Sequence, residues 1–424
     1  MKQLKVVLIG AGNRGTTYTD YMASSPEKFK VVAVAEPIES RRQHIKELHN
    51  IPDDMCFTDY KPLFELGKIA DIVIIATMDR DHFEPAMKAI ELGYDLLLEK
   101  PITPTPEECI ALTDAAVKNN VKVVICTVLR YTYMFSKLKE IIDSGKIGKV
   151  MSVNHEEGVG FVHHSHSFVR GRWGNSERSS VMLLQKSCHD IDILQWLIGK
   201  RCRQVQSFGH LSYFNRDNAP KGSPEYCIEG CPEYDTCPYN AVKLYFDDKG
   251  YWYRRAITNL YYPTDDDVMK TITTEQPGKC IFKCDNDVVD HQTVNMLFED
   301  NITVTFTMSA FTAEGRYIDI MGTKGHVRAV LGDDSPIKVY NSLNKEYEEI
   351  PCSGSNSITG GHGGGDSGIV ETLYDYMMGE YTGCSIPTIE ESCYSHLVTF
   401  AAEQARVDNK IIDVEEYINN LKTN

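Results

Sequence analysis

Three short stretches of the 424-residue chain carry side chains suited to chemistry. The first is Glu99-Lys100-Pro101, directly after the apolar run Leu96–Leu98. A carboxylate and an ammonium at the mouth of a buried strand must be solvated, paired or used. Pro101 fixes its own φ and disfavours helix at Lys100, so the lysine stands extended at the strand end. There it can hydrogen-bond a substrate hydroxyl that becomes a carbonyl, and a ribose hydroxyl too; a strand-end lysine can equally snorkel to water. The second stretch is "QKSCHDIDILQWLIG", starting at Gln185. Ile191, Leu194 and Ile198 share one helix face, and His189 falls near the helix start, where an imidazole can project into a cleft. Lys186 can add charge there or simply face solvent. Asp190 and Asp192 read as residues that cap or flank the helix.

The third stretch is Gly10-Ala11-Gly12-Asn13-Arg14-Gly15, between the apolar "KVVLI" and a plausible helix. In that setting the glycines have distinct jobs: Gly10 for a tight turn, Gly12 for close approach of a pyrophosphate, Gly15 for helix–strand packing. The helix N-terminus then faces the anion. Glu36 ends the next apolar run and can accept from both ribose hydroxyls of NAD while repelling the extra phosphate of NADP. Arg41 and Arg42 follow closely and can accommodate a 2′-phosphate. Asn13 and Arg14 belong to the turn, and Glu99 and Lys100 border the same crevice. Ala76 and Thr77 end another strand, on the nicotinamide side. His82, in the first turn of the next helix, either contacts cofactor or packs.

The elements that position these residues follow from hydrophobic pattern. Lys5–Ile9, Val31–Ala35, Ile72–Ala76, Leu96–Glu99 and Val121–Cys126 read as strands, largely aliphatic as strands buried on both faces are. Helical patterns such as His82–Leu92 and Pro106–Asn119 lie between them. This βαβ rhythm predicts a doubly wound parallel sheet, a Rossmann domain over residues 1–125. From residue 126 to 424 a second α/β domain is expected, with an open, mostly antiparallel sheet. "KVMSVNHEEGVGF" alternates, and hairpins turn at Glu299–Asn301 and Gly322–Gly325. Helices are expected over about 368–379 and 388–408.

Other residues fit a substrate pocket less sharply. "HHSHSFVRGRW", residues 163–173, offers His164, His166 and Arg170 for hydrogen bonds to a polyol, and Trp173 to stack on a sugar ring or pack. His362 and Asp366 sit in or beside a glycine-rich loop that can fold over substrate. Five cysteines fall between 227 and 284, marking an insertion at about 210–285. Cys227, Cys231 and Cys237 with Cys284 or Cys280 can hold a structural Zn²⁺ tetrahedrally; an Fe–S cluster or simply reduced thiols are the other readings.

Composition narrows the partners. Forty-four Lys plus Arg against 60 Asp plus Glu give a net charge of −16, which argues against nucleic acid and anionic membranes. No apolar run approaches the ~20 residues of a membrane span. The N-terminal "MKQLKVVLIGAG" reads as a strand and turn rather than a signal peptide. Thirteen cysteines in a long chain without such a signal point to reduced thiols and the cytoplasm.

"LIGAGNRG", the acidic end of "VVAVAE", "EKP", "SGKIGKV", "CHDIDILQWLIG" and "MGTKG" occur in one order that resembles the Gfo/Idh/MocA family of NAD(P)-dependent oxidoreductases. The resemblance runs from residue 4 to about 330, with a family-like helix near 388–408. It implies oxidation of a sugar, glycoside or cyclitol hydroxyl carbon, and a homodimer or homotetramer built on the second sheet. It makes Lys100 the lysine that orients substrate and assists proton transfer, with His189 as its partner. Many members carry Asp four residues before that histidine; here it is Gln185, which cannot take a proton at neutral pH, and Lys186 is the substitute at hand. The departure keeps a second activity in view, in which retained NAD oxidises a sugar transiently, a leaving group is eliminated and the product is reduced again. A non-catalytic NAD-binding regulator is the third reading, against which the retained Lys100 and His189 speak.

Overall fold

The computed structural model describes residues 2–247, 251–332, 335–352 and 364–423. The first sheet contains β1 (Leu4–Ile9), β2 (Phe29–Ala35), β3 (Cys56–Phe57), β4 (Ile72–Ile75), β5 (Asp95–Leu98) and β6 (Val123–Ile125). All pairings are parallel, in the order β3-β2-β1-β4-β5-β6. β4 is buried at every position, as its unbroken Ile-Val-Ile-Ile requires of a strand covered on both faces. The order reverses beside β1, and the carboxyl ends of β1 and β4 open the crevice where such sheets bind ligands. The short β3 carries no sequence signal of its own.

The second sheet comprises β7 (Val150–Gly158), β8 (Cys202–His210), β9 (His291–Phe298), β10 (Thr303–Ser309), β11 (Gly315–Gly322), β12 (Gly325–Leu331), β13 (Ile337–Asn341), β14 (Glu346–Ile350) and β15 (Ile412–Asp413). Their order is β14-β13-β12-β11-β7-β10-β9-β8-β15. Every pairing is antiparallel except β7 with β10. One face is a core packed on the helices Tyr133–Asp143 and Cys188–Ile198. The other alternates outward and exposes Met151, Phe208 and Tyr317.

Chain order and spatial order part at the C-terminus. Helix Gly365–Met378 packs Ile369, Val370 and Leu373 on one face of the first sheet. Helix Ile389–Asp408 brings Cys393, Leu397 and Phe400 to the other. The nucleotide-binding sheet is thus closed by residues more than 230 positions beyond its last strand, and the cleft is built from both halves of the chain.

Candidate active site

The glycine turn leaves β1 and enters helix Asn13–Ala23. Gly10 has φ +88°, and a Cβ there would lie 2.6 Å from the Ala76 carbonyl oxygen. At Gly15 a Cβ would stand 2.1 Å from the Gly10 carbonyl oxygen, so the helix seats on the turn only without a side chain. At Gly12 the nearest atom is an Arg41 nitrogen 4.0 Å away, which leaves the outer side of the turn open. Gly12 is also the N-cap and offers no side-chain cap, so the first N–H groups of the helix lack side-chain acceptors and suit a pyrophosphate. These observations fit a dinucleotide.

Glu36 is buried and braces the turn. Its Oε2 accepts from Ala11 N–H at 2.7 Å and its Oε1 from Ile38 N–H at 2.9 Å. Each oxygen keeps a second lone pair. Arg42 donates to the carbonyls of Glu36 and Pro37, and Arg41 to Asn259 Oδ1 at 3.2 Å. Arg42 is thus engaged by main chain, whereas Arg41 keeps a nitrogen 4.0 Å from the Cβ position of Gly12, beside the turn.

Glu99 and Lys100 part company at the end of β5. Glu99 Oε1 accepts from Arg14 Nε at 2.9 Å and from Tyr18 Oη at 2.6 Å. Arg14 also grips Asp366 with two bonds, of 2.9 and 2.7 Å. Burial opposes the Glu99 charge, but Arg14 and Lys100 hold its carboxyl below the usual range. Glu99 is thus a latch between the first helix, β5 and helix Gly365–Met378. Arg14 still lines the cleft while serving that latch, and Asp366 is anchored rather than poised over substrate. Lys100 instead turns across the cleft, where Nζ donates to the Gln185 carbonyl at 2.8 Å. Thr77 lines the cleft, Ala76 is buried against Gly10, and His82 Nδ1 lies 2.8 Å from the Pro101 carbonyl. His82 is buried behind Lys100 and braces its turn.

The opposite wall comes from the short helix Met182–Gln185 and the start of helix Cys188–Ile198. Gln185, Lys186 and His189 all line the cleft with Lys100. Gln185 Oε1 is buried without a hydrogen-bond partner, an acceptor waiting for a donor. Behind it stand two residues that the sequence reading missed, Glu157 and Arg316. Lys186 Nζ lies 3.3 Å from Glu157 Oε1, and Arg316 Nη2 donates to the same oxygen at 2.6 Å. Arg316 Nε also reaches Asp190 Oδ1 at 2.8 Å, which His155 contacts at 2.8 Å. Asp190 therefore closes an ion network instead of capping its helix, and Asp192 makes a two-bond pair with Arg130. Burial pushes Glu157 up to about 7, and burial lowers Lys186 from its ordinary value. Period-2 alternation along β7 carried a faint signal, because it places His155 and Glu157 on one face. Arg316 carried none.

The segment after β7 behaves differently from the sequence reading. Helix Phe161–His164 runs into a π-helical turn, Ser165–Arg170, and this phase turns His163 to the cleft. His164 stacks on Phe214, with ring centroids 5.1 Å apart, and His166 Nδ1 bonds Tyr245 Oη at 3.0 Å. Burial drives both imidazoles down to about 3, so they are neutral packing groups. Arg170 donates to the carbonyls of Lys279 and Tyr239, outside the cleft. Trp173 does line the cleft, and its indole N–H has no partner. Trp252 and Tyr253 of the insertion complete an aromatic end to a cavity of about 1040 Å³. His362 lies outside the described residues.

The Zn²⁺ expectation is corrected. Among the described residues no group of three or more His, Cys, Asp or Glu is arranged to hold a metal ion. Cys284 Sγ is directed to the Cys280 carbonyl at 3.5 Å. Among the same residues no helix is long and apolar enough to cross a membrane.

Comparison with known proteins agrees with this geometry. A family model described as "Oxidoreductase family, NAD-binding Rossmann fold" matches residues 4–127, and one described as "Oxidoreductase family, C-terminal alpha/beta domain" matches residues 139–412. "Putative oxidoreductase YteT" of Bacillus subtilis is 26% identical over 369 residues, 84% of this chain and 81% of that protein. Inositol 2-dehydrogenase of Salmonella typhimurium is 26% identical over 206 residues, 48% of this chain and 57% of that enzyme. Among solved structures, scyllo-inositol dehydrogenase from Lactobacillus casei with NAD(H) and scyllo-inositol superposes with a TM-score of 0.66 at 17% identity, covering 98% of this chain and 100% of the other.

Proposed function

The chain belongs to the Gfo/Idh/MocA oxidoreductase family, and from that premise we propose that it is an NAD-dependent dehydrogenase of a sugar, glycoside or cyclitol hydroxyl carbon. One observation carries the reading: Lys100 and Arg14, from the nucleotide-binding half, share a single cleft with Gln185, Lys186 and His189 of the other half. The glycine turn, Glu36 and Thr77 would hold the dinucleotide. Glu36 favours NAD over NADP. Bound nicotinamide supplies the hydride acceptor. The chain's own residues manage everything else. Lys100 Nζ, tethered by one bond to the Gln185 carbonyl, has two more N–H donors for the reacting hydroxyl oxygen. His189 receives the hydroxyl proton. The Lys186–Glu157 pair, which lines the same cleft, would serve as a proton store in place of the missing aspartate. Trp173, Trp252 and Tyr253 exclude water and offer aromatic faces to a ring substrate.

A second reading, redox-neutral cleavage of a glycoside with NAD retained, has its own support. The insertion closes over the adenosine edge: Tyr261 stacks on His44 with centroids 3.6 Å apart, and Asn259 holds Arg41. Met151, Phe208 and Tyr317 on the exposed face of the second sheet favour a homodimer or homotetramer, and the free thiols a cytoplasmic enzyme. The test is a panel of sugars, cyclitols and aryl glycosides in which NADH and free aglycone are both measured. NADH formation with a polyol supports net oxidation, and aglycone release without net NADH supports the second reading. Turnover that survives intact in Lys100→Met would overturn both.

A further inference from the structure

We propose that the insertion binds a [4Fe–4S] cluster through Cys227, Cys231, Cys237 and Cys280. These four thiols line one small pocket that shares no residue with the active-site cleft. A backbone bridge between Tyr226 and Lys279 sets their register: Cys227 N–H donates to the Gly278 carbonyl at 3.0 Å and Cys280 N–H to the Glu225 carbonyl at 2.8 Å. Two cysteines distant in sequence are therefore held beside each other by main chain. Pro224, Tyr239, Ile281 and Phe282 give the pocket mainly apolar walls.

The arrangement speaks against a single ion. Zinc needs four sulfurs converging to about 2.3 Å from one point. These cysteines line one pocket, none is in a disulfide, and no three of them are arranged to hold one ion. In a cubane each iron takes one protein thiolate and completes its shell with inorganic sulfide, so the cysteines must stand apart around the body.

Arg170 supplies the second, independent observation. It is 2% exposed, and its Nη2 lies 3.7 Å from Cys227 Sγ. Its remaining bonds go to the neutral carbonyls of Lys279 and Tyr239, and Nη1 has no hydrogen-bond partner. Among the described residues no carboxylate pairs with it. A buried guanidinium without a counter-charge is costly. Four thiolates carrying a cubane give the missing negative charge, with sulfur acceptors for the orphan N–H. The cluster then acts as a staple. Cys227 packs in one apolar group with Tyr245 and Tyr253, so the metal centre fixes the helix that presents Trp252 and Tyr253 to the cleft.

The test uses the full chain, purified without oxygen and then reconstituted with ferrous iron, sulfide and a thiol reductant. About four iron and about four acid-labile sulfide per chain are expected, with a visible charge-transfer band that dithionite bleaches. Cys231→Ser and Cys237→Ser should lose that band, whereas Cys284→Ser and Cys352→Ser should keep it. One zinc per chain in place of iron overturns the proposal. So does a folded protein that takes up no iron on reconstitution and leaves all four thiols open to alkylation.

Discussion

Two buried clusters flank the cleft, and each sets one arginine between two carboxylates. On the cofactor side Arg14 joins Glu99 to Asp366; on the substrate side Arg316 joins Glu157 to Asp190. The first is a latch. Its arginine reaches outward to two acids from different elements, and Tyr18 adds another donor to Glu99, whose carboxyl stays below the usual range. In the second the two acids are neighbours. Asp190 lies beside Glu157 and takes both Arg316 Nε and His155, so its charge is favoured over that of its neighbour. Burial and then the Asp190 charge drive Glu157 up to about 7 although Arg316 and Lys186 oppose the rise. The same three groups hold a fold together when the acids stand apart, and titrate near neutrality when the acids are adjacent and buried.

The contrast is tested most severely at the residues it serves. Lys100→Met and His189→Ala should each lower turnover by roughly 10²–10⁴-fold while NAD still binds, as titration of the variants would register. Parental rates in both would place the chemistry elsewhere. Next comes the latch. Asp366→Asn leaves Arg14 with one acid, and breaking a buried pair costs about 3–5 kcal/mol; Arg14 keeps partial solvent access, so a value at the low end is expected in denaturant unfolding. An unchanged midpoint would show that Glu99 alone suffices. The smallest effect should come from Glu157→Gln. Glu157 loses its proton as pH rises through about 7, so a base role makes oxidation faster with rising pH across that range. The amide should flatten that limb and cost roughly 10-fold at neutral pH. A pH profile identical to that of the parent would reduce Glu157 to a packing role.

How much of this was legible varied with the range of the interaction. Five of the six strands of the first sheet were read to within one or two residues, because an unbroken aliphatic run between turns has few alternatives. The positions of the glycine turn, Glu36, Lys100 and His189 were readable because they depend on local backbone and on the ends of strands. His164 and His166 were misplaced because the sequence does not announce a π-helical turn. That turn shifts the helical phase, so His163 faces the cleft instead. Arg170 looked like a sugar ligand only while its carbonyl partners, 69 and 109 residues away, were unknown.

The sequence by itself determined the nucleotide-binding sheet, the glycine turn, the carboxylate that ends its second strand, and the lysine and histidine that line the cleft. Each follows from steric limits or periodicity within a few residues. Only the tertiary structure decided which charges stand beside Gln185 and which groups hold Glu99. Glu157 meets Arg316 across 159 residues, and Arg14 meets Asp366 across 352. Such pairs are fixed by which buried faces come together, and their charge states by the low-dielectric surroundings those faces create.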